Sequence, residues 1–400
     1  MNRLISLIAL PGLALVLLLA LPPAHILAAS SAGLTSSRAH SGISKNHKHW
    51  QVIPSPNVGS TGSDLLAISS ISTGDIWSVG VFYTPQYTPQ TLVEHWNGTA
   101  WQVVPSPNNG QDENQLNGVA AISSTNVWAV GYYKNGVLRT LIEHWDGTQW
   151  SIIPSPNAGN SDNQLEGIWA LSQNDIWAVG TYFDISKNSN LTLVEHWNGS
   201  KWKLVSSPNT GESINVLTAV TAVSKNNIWA VGYGETPGYI TLVEHWDGTR
   251  WSIIASPNPG NSNSSLEGLT VVAANNIWAA GFYYDNNSNT DKTLIEHWDG
   301  TQWSIIPSPN VGTDFCQLYG VAAISARNIW AVGVDTRVPP VFTLAEHWNG
   351  TKWSIVKSPN VSKTYNGLSA VIAVSGNLWA VGEYFNTSEY AYDTLIEYYG

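Results

Sequence analysis

From Trp50 onward, short apolar runs alternate with polar breaks, and the runs come in sets of four. In one set they cover 119–122, 127–132, 140–145 and 150–153. Each is rich in β-branched and aromatic residues, each is too short for a helix, and none shows a helical period of ten or more residues. The last two runs are joined by Asp146-Gly147-Thr148, and other sets have Asn-Gly at the same place. Such pairs mark a tight hairpin, because both residues tolerate positive φ. The set therefore predicts a four-stranded antiparallel meander.

The set recurs seven times. A Trp that opens a run leading to Ser-Pro-Asn stands at Trp50, Trp101, Trp150, Trp202, Trp251, Trp303 and Trp353. A second Trp, usually followed by Ala-Val-Gly, stands at Trp77, Trp128, Trp177, Trp229, Trp278, Trp330 and Trp379. Glu-His-Trp begins at Glu94, Glu143, Glu195, Glu244, Glu296 and Glu346, and the seventh copy reads Glu397-Tyr398-Tyr399. These series hold 20 of the 21 Trp residues and leave only Trp169 outside; copies lie 49 to 52 residues apart. Seven units of four strands without helices predict an all-β, seven-bladed β-propeller. The ends agree with a closed ring: residues 50–54 match a fourth strand, and the last unit stops where its fourth strand should begin. The N-terminal strand is expected to complete the last blade. The prolines of Ser-Pro-Asn suit an outer edge, since Pro cannot donate to a ladder.

The Trp-Ala-Val-Gly and Glu-His-Trp-Asp-Gly-Thr-x-Trp signatures resemble those of secreted bacterial seven-bladed propellers, allied in fold to kelch and Asp-box (BNR-like) propellers. The resemblance covers residues 50–400 and implies an extracellular propeller.

Composition narrows the function. Only 11% of residues are charged and the net charge is −11 with 17 Lys and Arg, so a phosphate-backbone partner is excluded. The one cysteine, Cys316, rules out an internal disulfide framework or a Cys-rich zinc site. Arg3, the apolar run 4–21 and the small residues Ala28, Ala29 and Ser30 read as an export signal over 1–29, cleaved near Ala29. An uncleaved anchor is the alternative, with Pro11 and Gly12 interrupting the run. Residues 30–46 read as a flexible linker and 47–400 as the propeller. The expectation is a monomer, secreted or at the cell surface, with no membrane insertion after cleavage.

Repetition argues against chemistry at the Glu-His pairs. Adjacent strand residues point to opposite faces, and equivalent histidines of stacked blades lie about 10 Å apart, too far to share a metal. Alternation puts Leu92, Glu94 and Trp96 on one face of a blade and Val93 and His95 on the other. Each buried Glu is expected to find a His, a Trp Nε1 or a backbone donor at the neighbouring blade. The Trp series reads as wedges between blades. Asn97, Asn198 and Asn349 form glycosylation sequons, but Asp146, Asp247 and Asp299 take the same turn position, so turn geometry explains both.

Function is sought where the repeat varies. Loops between second and third strands, and between fourth and first, emerge on one face and differ in length and sequence; the opposite face carries near-identical turns. Binding belongs on the variable face. Candidate residues there are Tyr83, Tyr87, Tyr239, Phe315, Tyr319, Tyr365, Tyr390 and Tyr392, with Arg139, Asp335 and Arg337. Aromatic rings beside amides and carboxylates are what sugar or peptide recognition needs. Asp285, Asn287, Asn289 and Asp291 alternate like calcium ligands, without the central Gly and terminal Glu of an EF-hand; no other cofactor is indicated. The first strands should line a narrow central channel, given Gly118, Ala120, Ala121, Gly320, Ala322 and Ala323. Trp169 interrupts that series, as packing, as a channel block or as a sugar-stacking floor. The reading is a non-catalytic propeller binding carbohydrate, peptide or protein. The alternatives are a propeller glycoside hydrolase or lyase, which would need non-repeated acid and base groups at the channel mouth, and a purely structural surface element.

Overall fold

A computed structural model describes residues 48–400, apart from 60, 211–212, 236–237, 260–262, 312–314 and 337–339. The export signal, the linker and Arg337 lie outside the described residues. The described chain forms twenty-eight strands and no helix, arranged as seven four-stranded antiparallel sheets. Blade 1 comprises Ser63–Ser72, Asp75–Tyr83, Pro89–Trp96 and Trp101–Val103, from channel to rim, and five blades repeat that order. In blade 7 the outer strand is Trp50–Val52, paired antiparallel with Ala391–Tyr399. The ring thus closes as the repeat arithmetic required.

Strands are longer than their apolar runs toward the variable face. In blade 2 the inner strand is Asn114–Ser123 and the second is Asn126–Asn135. The extra residues are polar, so alternation alone could not include them. Every inner strand also carries a bulge, as between Leu165 and Gly167. Opposite it stands the Gly of Trp-Ala-Val-Gly: a Cβ on Gly180 would lie 2.1 Å from the Gln164 carbonyl oxygen. That contact, rather than turn geometry, requires glycine there.

The repeated triplet serves packing. Trp77 meets Trp145 and Trp150 of the next blade at ring separations of 5.1 and 5.6 Å, and stacks on His95 of its own blade at 4.1 Å. Asp75 Oδ1 receives the Trp77 indole N–H at 3.1 Å and lies 2.8 Å from His95 Nε2, and Asn126 serves Trp128 and His144 likewise. Histidine therefore pairs within its blade and not with glutamate.

Four of the seven glutamates find a different partner from the expected ones, and among the described residues Glu94, Glu195 and Glu346 have none. The Ser106 hydroxyl of blade 1 donates to Glu143 of blade 2 at 2.7 Å, and Ser207, Ser256 and Ser358 donate to Glu244, Glu296 and Glu397 in the same way. Each serine belongs to Ser-Pro-Asn, which crosses back over the third strand. The Asn108 amide oxygen accepts the Thr91 N–H at 3.0 Å, and Asn57 does so for Thr394 across the closure. The motif is thus an inter-blade clasp as well as an edge. All seven glutamates are fully buried, and burial lifts Glu94, Glu143, Glu244, Glu296 and Glu397 to about 8 and Glu195 and Glu346 well above the usual carboxyl range. They sit between blades as neutral acids.

Candidate binding site

The inner strands surround a channel whose mouth on the variable face is built from the bulges. A bulge turns its extra residue inward, and the seven are Leu66, Asn117, Glu166, Thr218, Glu267, Tyr319 and Ser369. They line a cavity of about 230 Å³. Below them come Ala67, Gly118, Gly167, Ala219, Gly268, Gly320 and Ala370, where strands crowd: a Cβ on Gly268 would lie 2.8 Å from the Tyr319 carbonyl oxygen. A belt of Ile68, Val119, Ile168, Val220, Leu269, Val321 and Val371 forms the cavity's apolar floor.

The mouth is polar and acidic. On one side Tyr132 donates to Gln115 at 3.2 Å, Gln115 to Asn117 at 2.8 Å, and Asn117 to Glu166 at 2.9 Å; Gln164 also donates to Glu166. On the other, the Tyr319 hydroxyl donates to Gln317, which donates to Asp291 at 2.6 Å. Ser265 donates to Glu267 at 2.5 Å, and the second carboxyl oxygen of Glu267 is buried without a hydrogen-bond partner. Burial lifts Glu166 to about 8, with the Glu267 charge adding to it, and Glu267 to about 7. A further pair lies between blades 7 and 1. Burial raises Asp64 to about 7 and holds Glu383 well above its ordinary range, with the Asp64 charge adding to the second; the Tyr365 hydroxyl bonds Glu383. Among the described residues no Lys, Arg or His lines the cavity. The mouth therefore offers amides, phenols and carboxyls that hold a proton more readily than usual, groups that both donate and accept.

The predicted residues divide. Tyr319 lines the cavity, and Tyr365 packs edge-on against Tyr392 at 5.4 Å. Burial raises Tyr83, Tyr365 and Tyr392, with Asp64 and Glu383 adding to each, which groups them at the blade 7 and blade 1 junction. Tyr239 packs edge-on with Tyr233 at 5.4 Å, one blade-width outward. Tyr87 and Tyr390 are exposed in tight turns with φ of 61° and 55°, Phe315 is exposed at a strand start, and Arg139 is half-buried on a third strand. Asp335 is buried beside Cys316, whose thiol burial pushes up to about 11. The calcium candidates Asp285, Asn287 and Asn289 share one turn, apart from the Asp291 carboxylate. Asp285 accepts the Asn287 N–H at 2.9 Å and the Ser288 hydroxyl at 2.9 Å in its own turn, whereas Asp291 turns to Gln317.

Asp64, Glu166, Glu267 and Glu383 were not anticipated. Three of them begin the inner strands, where the bulge breaks alternation. The signal was present in the copies: Leu165-Glu166-Gly167 and Leu266-Glu267-Gly268 match Leu116-Asn117-Gly118 and Leu318-Tyr319-Gly320, a fixed Leu and a small residue around a position that varies.

Trp169 lies beyond the apolar belt. It is 41% exposed and lines a second cavity of about 500 Å³, whose walls include Ser69, Ser70, Thr270, Ala322 and Ala373 near the short-turn end of the channel.

No protein-family description matches the chain, and no curated protein sequence does. Solved structures do. YCF48 bound to D1 peptide is 16% identical with a TM-score of 0.55, covering 88% of this chain and 97% of that one. An ulvan lyase bound to an oligosaccharide is 12% identical with a TM-score of 0.51, covering 83% and 91%. The GH74 xyloglucanase from Xanthomonas campestris is 11% identical with a TM-score of 0.53, covering 87% of this chain and 55% of that one. At these identities the likeness is one of fold.

Proposed function

We propose that this chain is a non-catalytic binding propeller, exported and acting as a monomer outside the cell or at its surface, that receives a carbohydrate or peptide segment at the variable mouth of its channel. One observation carries the reading: the non-repeated carboxyl, amide and phenol groups gather at that mouth, while the repeated glutamates are buried between blades. Fixed donors and acceptors around a cavity floored by apolar residues are the usual make-up of a ligand site. The described lining holds carboxyls and no cationic side chain, which favours an uncharged or cationic ligand over an acidic one. The fold relatives include a protein solved with a peptide and one solved with an oligosaccharide, so the architecture accommodates both.

The test is binding of glycan and peptide libraries to residues 30–400, with and without calcium, against Glu267→Gln and Tyr319→Phe. Saturable binding weakened in both variants without product release is expected. Binding indifferent to both would overturn the placement. A second reading rests on Glu166 and Glu267, two carboxyls with raised values that share one mouth, as acid and base of a hydrolase do. Release of shortened saccharide by the wild type, abolished in Glu267→Gln, would establish it.

A further inference from the structure

The unrepeated tryptophan marks a second site at the opposite end of the channel. Twenty of the 21 Trp residues belong to the repeat and are buried or half-buried among other rings; Trp169 alone is exposed. Its partner across the sheet is Trp177, and the equivalent inner-strand positions hold Ser69, Ala120, Thr221, Thr270, Ala322 and Ile372. The fold therefore does not need an indole there. Exposed apolar area carries a cost of about 25 cal/mol per Å², and nothing in the ring offsets it.

The surroundings give the indole an orientation. Six blades contribute walls to the 500 Å³ cavity and blade 4, next to Trp169, contributes none. In blade 4, Thr221 is 1% exposed and its hydroxyl has no hydrogen-bond partner. Both facts follow if the ring lies across the blade 4 strand, one face covering Thr221 and the other open to the cavity. The remaining wall is uncharged, largely aliphatic with Ile68, Leu269 and Ile372, and carries the hydroxyl residues Ser69, Ser70 and Thr270. The volume falls within the roughly 300–1,000 Å³ usual for small-molecule sites.

We infer that the short-turn end of the channel is a saccharide site, in which one pyranose face of a neutral oligosaccharide stacks on Trp169 and its hydroxyls meet Ser69, Ser70 and Thr270. A flat apolar platform flanked by neutral hydroxyls fits a sugar ring, whose faces are apolar and whose edge is polar. An acidic sugar would find no cation in this lining. The aliphatic belt, with Ile68, Val119 and Ile168 among the residues facing both cavities, separates this site from the variable mouth, so the two stand or fall independently.

The test is calorimetric titration of residues 30–400 with short cello-, xylo-, manno- and N-acetylglucosamine oligomers, repeated on Trp169→Ala, Trp169→Phe and Glu267→Gln. Trp169→Ala should fold, because Ala120 and Ala322 already occupy the equivalent place in two blades; an unchanged melting temperature checks this. The expected result is saturable binding of at least one oligomer, weakened about tenfold or more by Trp169→Ala and largely kept by Trp169→Phe. Loss in Trp169→Ala supports the site whatever Glu267→Gln does. Binding unaltered by Trp169→Ala would overturn it, and if lost in Glu267→Gln would put the sugar at the variable mouth instead; no binding of any oligomer to the wild type would also overturn it and leave peptide as the ligand of that mouth.

Discussion

A single methyl group distinguishes the glycine after Trp-Ala-Val from alanine, and the bulge explains why the difference is large. At Gly180 the added Cβ would fall 2.1 Å from the Gln164 oxygen and 2.8 Å from the Leu165 Cα, both backbone atoms that cannot rotate away. Gly180→Ala must therefore open the bulge or part the first two strands, and should cost about 1–3 kcal/mol, as overpacking of a core does. Gly110 supplies the contrast, since its Cβ would meet nothing within 4 Å although its φ is +85°. Alanine there should cost about 1–2 kcal/mol, from the left-handed backbone alone. Urea denaturation of the two variants measures both, and equal midpoints would show that the bulge contact is unimportant. Glu195→Ala is expected to destabilise too, because it hollows a fully buried place between blades 2 and 3. An unchanged melting temperature would count against that packing role.

Between blades, glutamates make stability depend on pH in a direction opposite to that of most surface carboxylates. Each is lifted from an ordinary 4.5 to about 8 or beyond by burial, so the folded chain holds protons that the unfolded chain has released. Their contribution is full below about pH 4.5 and is lost as pH rises through 8. The turn aspartates Asp146, Asp247 and Asp299 act in reverse. Hydrogen bonds from Thr148 and its equivalents, then from backbone N–H groups, hold them at about 2, so their contribution is present above 3.8 and lost as pH falls through 2. The urea midpoint should therefore be higher near pH 5 than near pH 9, and the double variant Glu143→Gln, Glu244→Gln should shrink that difference. A midpoint that climbs between those values would mean the glutamates are ionised in the fold. At this scale the sequence was legible wherever a residue repeated: blades, hairpins, wedges and closure all follow from counting. It was opaque where alternation failed. The bulge shifts Glu166 and Glu267 from the face that alternation assigns into the channel, and the serine that meets Glu143, Glu244, Glu296 and Glu397 comes from a motif that read as an edge device. Loop aromatics such as Tyr87 and Tyr390 stand out in the variable loops of the sequence, whereas the buried Glu267 and the half-buried Asp64, Glu166 and Glu383 that shape the mouth do not.

The whole ring depends on one three-residue strand, because blade 7 receives its outer edge from the other end of the described chain. Trp50 packs against Trp330 at 5.7 Å and Tyr399 at 5.4 Å, and the Ile53 N–H reaches the Ile396 carbonyl at 2.8 Å. Ser55 and Asn57 then clasp Thr394 as Ser-Pro-Asn does in every other blade. Without this segment the edge of Ala391–Tyr399 would be unpaired and the wedge between blades 6 and 7 would lose its tryptophan. Other blades own all four strands, so the same loss elsewhere would interrupt the chain rather than open the ring. A chain beginning after residue 57 should thus lose more stability than one short strand implies, since blade 7 also borders the Asp64 and Glu383 junction of the variable mouth. Hydrogen exchange discriminates the possibilities. If closure is cooperative, deleting 48–57 should raise exchange in both Asn366–Val374 and Ser63–Ser72, on either side of the seam, and lower the urea midpoint by a measurable fraction of the total. Exchange confined to Ala391–Tyr399 would instead mean that the remaining sheets hold the ring on their own, with the terminal strand acting only as an edge cover.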